Sequence, residues 1–451
     1  MPLLLTSAAI IAFFLVRWRM LNPLTRRLSL FACANIVLLN AAAMGPLATP
    51  FEDTTLRMSE DFLLMRESDD SWRPMFEALH YAQAQPHQPL YADVFFGQHK
   101  KYQYPPTALV LAWALERVGP AGGYPQNKRF ELVGIARLVS WGFVIVMMVC
   151  VGRLFTLSLA RHQMAPPPRS ATDLIATGLL VFTATATFYP VVASYSYGQL
   201  QTWLNSIFAV LCWCWMTGRR RLAGVLSGVL CLMKPQYALL LLWGGLRKQW
   251  GFVVAAGATV LLGLAVSVWR FGWDTHLEYL NVLSFLSRHG EAYYANQSVN
   301  GLLNRLFANG DALQSSRWFP PFHPWVYAGT LATSALLIVS ALWPPKARRA
   351  GVEDFAIIAL TATMASPIAW EHHYGILLPL FAMLAPAAWA ARPAGRMTTP
   401  LLCLSYVLSS NYLAAINRLA YGSFGANILQ SYLLFGAVIA LSVFYLLRKS
   451  Q

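Results

Sequence analysis

The run WGFVVAAGATVLLGLAVSV at residues 250–268 holds 19 residues without a charged side chain, and Arg247-Lys248 stand just before it. A helix rises about 1.5 Å per residue, so such a run covers the roughly 30 Å hydrocarbon core of a bilayer. The preceding stretch is shorter. Arg219-Arg220-Arg221 and Arg247-Lys248 both read as cytoplasmic by the positive-inside rule. Only 25 residues separate them, where two full crossings need about 40. Residues 222–246 are therefore expected to form a hairpin of short helices turning at Lys234-Pro235. This turn carries a charge and a helix breaker into the membrane layer, where irregular backbone is tolerated only if it lines protein or a wet cavity. Lys234 is thereby a candidate site residue.

Further apolar runs of about spanning length lie at 28–48, 132–152, 172–190, 199–216, 326–343, 354–369, 375–391, 399–416 and 426–446. Residues 3–16 are shorter and read as a further span, an interfacial helix or the core of a signal peptide. The last reading is weakened because Arg17 and Arg19 follow the run and no cation precedes it. The stretch 106–118 is read as re-entrant or lying on the surface, since a full crossing would place Arg153, Arg161 and Arg169 outside. The expectation is an all-α polytopic membrane protein with about 10–12 spans. Two long non-cytoplasmic loops, 49–104 and 269–325, are expected, and Pro166-Pro167-Pro168 reads as a stiff cytoplasmic linker.

Composition agrees. Of 451 residues, 57% are hydrophobic and 12% charged, with a mean hydropathy of +0.47; a soluble domain carries about twice that charge. The net charge of +15 is sorted by side. Arg17, Arg19, Arg26, Arg27, Arg153, Arg161, Arg169, Arg219, Arg220, Arg221, Arg247, Lys248, Lys346, Arg348, Arg349, Arg392, Arg396, Arg448 and Lys449 fall on one face, opposed by Asp173, Glu353 and Asp354. The remaining 15 basic and 16 acidic residues cancel. The excess thus reports topology and not a polyanionic partner, and no nucleic acid is expected. A cytosolic enzyme and a secreted disulfide scaffold are excluded. All six cysteines lie in apolar runs, where neither disulfides nor zinc are expected.

With this topology the polar clusters converge on the non-cytoplasmic face. They are the acids around Asp61, Asp69 and Asp70; Lys101-Tyr102-Gln103-Tyr104-Pro105-Pro106; Tyr197-Gly198-Gln199; Asn296-Gln297-Ser298 with Arg305; and Ser366-Pro367 through Trp370-Glu371-His372-His373. Lys234 approaches from below. A carboxylate, histidines and cations at the lipid–water boundary suit transfer from a lipid-linked phosphate. The carboxylate deprotonates an attacking hydroxyl, and the cations neutralise charge on the departing phosphate.

Asp70-Ser71-Trp72, Tyr102-Gln103-Tyr104-Pro105-Pro106, Tyr197-Gly198-Gln199, Gly224 and Gly228 ahead of Lys234-Pro235, Asn296-Gln297-Ser298, and Ser366-Pro367-Ile368-Ala369-Trp370-Glu371-His372-His373 follow one another in an order that resembles glycosyltransferase family 87. The resemblance spans residues 28–391. It implies a GT-C fold forming a single transmembrane catalytic domain over residues 1–451, with the site on the non-cytoplasmic side of a multi-pass cell (inner) membrane protein. It further implies inverting transfer of a hexose, mannose foremost, from a polyprenyl-phosphate sugar to a lipid or glycan acceptor. Neither a nucleotide nor an obligatory metal or other cofactor is implied. An acid of the first outer loop serves as base; Asp70 matches it by position, with Asp69 beside it. Gln201 departs from the family, which usually has Asn there, and the first apolar stretch is extra.

From the residues, His372, His373, Lys234 and Arg305 are candidates for the phosphate end. Trp72, Tyr102, Tyr104 and Trp370 are candidates for stacking on sugar or prenyl faces, with Gln199, Asn296 and Glu371 alongside. Each has a plainer reading. Adjacent histidines at a helix end point apart, so one facing the site and one serving structure is expected rather than a shared metal. Tyr104-Pro105-Pro106 suits a turn into the membrane. Gln199 and Asn296 either orient sugar hydroxyls or satisfy backbone groups, and Arg305 pairs with phosphate or with Glu291 or Asp311. Rival functions are a transporter or flippase of a lipid-linked anion and a polymerase or ligase of the same architecture using a diphosphate donor. A transporter is disfavoured by the lack of paired repeats.

Overall fold

Trp250 and Trp269 stand near the two ends of one apolar helix and Trp325 and Trp343 near the ends of another, all four rings 60–76% exposed. Separations of 19 and 18 residues correspond to a rise of roughly 27–29 Å. Each helix thus carries an indole at both hydrocarbon–water boundaries. The structure, a computed structural model, describes residues 2–21, 23–44, 54–118, 128–164, 171–314, 318–344, 350–391, 395–412, 416–419 and 425–449. The expected linker Pro166-Pro167-Pro168, the cations Arg169, Lys346, Arg348, Arg349 and Arg392, and residues 49–53 of the expected outer loop lie outside them.

The described elements are helices, and no strand occurs among them. In chain order they are α1 (Pro2–Arg17), α2 (Pro23–Met44), α3 (Thr55–Leu63), α4 (Trp72–Ala84), α5 (Pro106–Val118), α6 (Lys128–Arg161), α7 (Ala171–Ala186), α8 (Tyr189–Ser196), α9 (Gln201–Met216), α10 (Arg220–Met233), α11 (Ala238–Leu246), α12 (Trp250–Phe271), α13 (Trp273–His289), α14 (Val299–Leu306), α15 (Pro324–Leu342), α16 (Val352–Met364), α17 (Leu377–Ala390), α18 (Gly395–Ser409), α19 (Ile416–Leu419) and α20 (Tyr432–Lys449). Short helical turns precede α11, α17 and α20.

Five helical stretches among the described residues are long and apolar enough to cross a bilayer: Leu138–Arg161, Trp250–Phe271, Pro324–Leu342, Glu371–Ala390 and Ala426–Lys449. A sixth arises if α7 and α8, bent by 64°, count as one. This is fewer than the 10–12 spans expected. Several apolar runs form shorter helices enclosed by others: α16 has 13 residues, and all from Glu353 to Met364 are buried. A helix apolar all round belongs either in lipid or in a protein interior, and composition does not separate the two.

The segment after Arg221 is a hairpin of short helices. α10 ends at Met233, a single turn follows at Pro235–Tyr237, and α11 returns. α12 then runs parallel to α10, because Gly224, Gly228 and Leu232 meet Phe252, Thr259 and Gly263 in the same order. A Cβ on Gly224 would stand 2.2 Å from the Phe252 carbonyl oxygen, and one on Gly228 would stand 2.6 Å from Thr259 Cβ. The Gly-x3-Gly spacing is what lets the helices approach this closely. α5 touches this unit at depth, where Thr107 Oγ1 donates to the Leu232 carbonyl. Its far end reaches the α12 belt, Trp113 lying 6.5 Å from Trp269.

Candidate active site

Ser68, Asp70 and Ser71 donate their backbone N–H groups to the carbonyls of Ser196 (2.8 Å), Tyr197 (3.0 Å) and Gly198 (3.3 Å). This ladder ties the loop ahead of α4 to the turn between α8 and α9. Gly198 permits it. Its φ is +64°, and a Cβ there would stand 2.0 Å from the Ser68 carbonyl oxygen, so neither the conformation nor the space admits a side chain. The neighbouring Gln199 sets the carboxylate. Ser71 Oγ donates to Gln199 Oε1 at 2.5 Å, so the Tyr104 hydroxyl, 2.9 Å from Ser71 Oγ, is the donor in that contact. Gln199 Nε2 in turn donates to Asp70 Oδ2. Asp70 Oδ1 has no hydrogen bond among the described residues.

Asp70 lines a cavity of 940 Å³. The surrounding walls strip water from its carboxyl, and with Asp69 adjacent they hold it above the ordinary carboxylate range against the opposing pull of Arg73 and Lys101. Lys234, His372 and His373 line the same cavity. The break between α10 and α11 delivers Lys234, and the turn at the start of the α17 stretch delivers the histidines. Lys234 Nζ lies 2.6 Å from His373 Nε2. No carboxylate pairs with Lys234 among the described residues.

The Trp370 backbone N–H donates to His373 Nδ1 at 3.2 Å, which places the proton of a neutral ring on Nε2, facing the lysine. With the proton on Nε2, the 2.6 Å contact is a hydrogen bond from His373 to a neutral Lys234 amine; a protonated lysine would face a second donor there, and an anion oxygen entering between them would accept from both. The segment carrying these groups is fastened to the stretch between α13 and α14. Gln297 N–H donates to the Ala369 carbonyl (2.8 Å), Glu371 N–H donates to the Ala295 carbonyl (3.0 Å), and Asn296 pairs with Trp370 as an isolated antiparallel bridge.

Tyr104, Gln199, Trp370 and Glu371 also line the cavity. Five other candidates do not. Asp69 is held by Arg73 at 2.8 and 3.0 Å. Trp72 is buried against Trp203, with ring centroids 5.1 Å apart, and Tyr102 is buried and stacked on Tyr91. Asn296 spends its amide on Glu291, Pro367 and Ala369 backbone groups. Arg305, expected at a phosphate or at Glu291 or Asp311, instead donates to the carbonyls of Ala292, Tyr293 and Asn296 and to Ser431 Oγ. A guanidinium with five donors is well suited to gathering carbonyls in a buried loop.

Glu291 has another partner: Lys101 Nζ at 2.7 Å, its second oxygen accepting from Trp370 Nε1 at 2.7 Å. Sequence reasoning left Lys101 out of the site, although it lies in the quoted run and lines the cavity. Its place ahead of Tyr102-Gln103-Tyr104 was the available signal.

The family model for glycosyltransferase family 87 matches residues 102–367, more than half of the chain. The chain belongs to that family. Gln199, Lys234 and Trp370's bridging partner Asn296 fall inside the matched stretch, whereas Asp70 and His372-His373 lie outside it. Among curated relatives, a polyprenol-phosphate-mannose-dependent alpha-(1-2)-phosphatidylinositol mannoside mannosyltransferase of Mycobacterium tuberculosis is 27% identical over 238 residues, 51% of each chain. A corresponding pentamannoside mannosyltransferase of the same species is 28% identical over 213 residues, 46% of this chain and 45% of the relative. A Mycolicibacterium smegmatis protein bearing the first description is 26% identical over 214 residues, 45% of each. The chain thus spans about half the length of the curated relatives it matches.

Proposed function

We propose that the protein is an inverting glycosyltransferase that moves a hexose, mannose foremost, from a polyprenyl-phosphate sugar to a hydroxyl of a lipid or glycan acceptor on the non-cytoplasmic face. One observation carries the reading: a single cavity joins an oriented carboxylate, Asp70, to a lysine, Lys234, that has no carboxylate partner among the described residues. The first can take a proton, and the second needs an anion. Family membership and the printed activities of the relatives support the choice of donor. The phosphatidylinositol mannosides named as their acceptors make a phosphoglycolipid the first acceptor to try.

In this mechanism the free Asp70 Oδ1 accepts the acceptor hydroxyl's proton as its oxygen attacks the anomeric carbon. The bond from that carbon to the phosphate oxygen breaks, and polyprenyl phosphate leaves with the electron pair and a second negative charge. Lys234 and the Nε2–H of His373 take up that charge. The Tyr104–Ser71–Gln199 chain fixes Asp70, and Lys101, held by Glu291, lies within its electrostatic reach. Met233, Leu239, Leu283, Leu286 and Ile338 supply an apolar side of the cavity for the first prenyl units.

The test is reconstitution of the full chain in liposomes with labelled polyprenyl-phosphate mannose and a phosphatidylinositol mannoside. Label appearing in the acceptor supports the reading; movement of intact sugar-lipid across the bilayer without transfer overturns it in favour of a flippase.

A further inference from the structure

Two chain reversals at one end of the molecule have the same construction. Past the end of α9 stands Gly218 with φ +78°, and α10 begins after Arg219; past the end of α11 stands Lys248 at φ +56°, and α12 begins after Gln249. Because α10 and α12 are parallel and in close contact through Gly224 and Gly228, their N-termini lie side by side. Between them is an open groove of 670 Å³ lined by Arg219, Arg220, Arg221, Lys248 and Trp250, with no acidic residue among its lining. Arg219, Arg221 and Lys248 are exposed. Arg220 is engaged below, its guanidinium 3.5 Å over the Trp215 ring and donating to the Trp215 carbonyl at 2.8 Å.

The groove gathers exposed cations beside two aligned helix N-termini. A helix N-terminus carries a partial positive charge and favours acids, and cations belong at the opposite end. Here neither α10 nor α12 has an acid in its first turn or a side-chain cap. Arg220 serves the last turn of α9 and Arg219 lies over the Trp213 ring, while Arg221 and Lys248 stand exposed beside two aligned positive ends. The positive-inside rule asks for cations on this side of the membrane, but it does not ask for them around two helix N-termini in one groove. An anion relieves the repulsion, with arginine forks suited to a phosphate. Trp250, 60% exposed at the end of its span, marks the level of the lipid headgroups.

We infer that this groove binds the phosphate of an anionic phospholipid in the leaflet opposite the catalytic cavity. α10 begins at the groove and ends at Lys234, so the two sites are about 20 Å apart along one helix, and the lipid acts as a structural ligand of the hairpin that carries Lys234.

The experiment is a thermal-unfolding titration of the purified full chain in phosphatidylcholine nanodiscs, adding phosphatidylglycerol or, separately, inorganic phosphate. The wild type is expected to gain stability with phosphatidylglycerol, saturably, and not with inorganic phosphate at the same concentration of phosphoryl groups. The R221Q/K248Q variant is expected to require about 30-fold more phosphatidylglycerol for the same gain, while melting no lower than wild type in phosphatidylcholine alone. The R17Q/R19Q variant, with the same loss of charge elsewhere on that face, is expected to titrate as wild type. An unchanged response in R221Q/K248Q, an equal loss in R17Q/R19Q, or an equal gain from inorganic phosphate overturns the inference. None of these readouts involves glycosyl transfer, so the outcome stands apart from the proposed activity.

Discussion

Asp70 is held by a short chain of donors, and its carboxyl lies above the ordinary carboxylate range because the cavity walls desolvate it and Asp69 sits beside it. For a carboxyl raised in the folded state, stability is greatest below its unfolded pKa and is lost as pH rises through the folded one. Wild type therefore carries this cost at neutral pH. Asp70→Asn is expected to melt higher than wild type at pH 7, with the gap closing as pH falls toward about 4, as measured by thermal unfolding. In the wild type, the acid limb of kcat/KM is expected above the usual carboxylate range. Gly198→Ala places a methyl against the Ser68 carbonyl and is expected to lower kcat by about tenfold or more through displacement of Asp70. A loss confined to stability would contradict that. At this scale Tyr197-Gly198-Gln199 was legible, because a glycine beside a polar residue at the start of a span marks a tight turn. Arg305 was not: its charge suggested a phosphate, while the carbonyls it gathers come from a loop whose path no local pattern fixes.

The elements that set Lys234 are the parallel pair α10 and α12 and the buried ion network below them. Gly228→Val puts side-chain atoms where a Cβ already stands 2.6 Å from Thr259 Cβ. Overpacking of this kind costs about 1–3 kcal/mol, and unfolding midpoints together with donor affinity should both fall. Asp354, 1% exposed, accepts from Arg247 (2.7 Å), Trp243 (2.8 Å) and Arg448 (3.0 Å), which joins α11, α16 and α20. Asp354→Ala leaves a buried guanidinium without its carboxylate and is expected to cost about 3–5 kcal/mol, read as a lower denaturation midpoint; a change below about 1 kcal/mol would contradict the network's role. The hairpin could be read from sequence because two cationic clusters bracketed a segment too short for two crossings. The length of α16 could not, since burial inside protein and burial in lipid demand the same side chains.

Across the whole molecule, the cavity lies where the loop ahead of α4, the hairpin turn and the start of the α17 stretch meet. Sequence order separates Asp70 from His373 by about 300 residues, so only the assumed sidedness of the runs brought them to one face, and it said nothing of the void between them. Sidedness also explains why Trp72, Tyr102 and Asn296 were drawn into the candidate set: they share the face but are packed beneath the cavity wall. The division of labour between the two ends of this chamber is the central claim, and donor binding measured alongside single-turnover transfer separates them most directly. With labelled polyprenyl-phosphate mannose and the reconstituted protein, Asp70→Asn is expected to bind donor within about twofold of wild type while transferring about a thousandfold more slowly. Lys234→Met is expected to bind it at least about tenfold more weakly. Transfer by Asp70→Asn at the wild-type rate, or undiminished donor binding by Lys234→Met, would contradict the account.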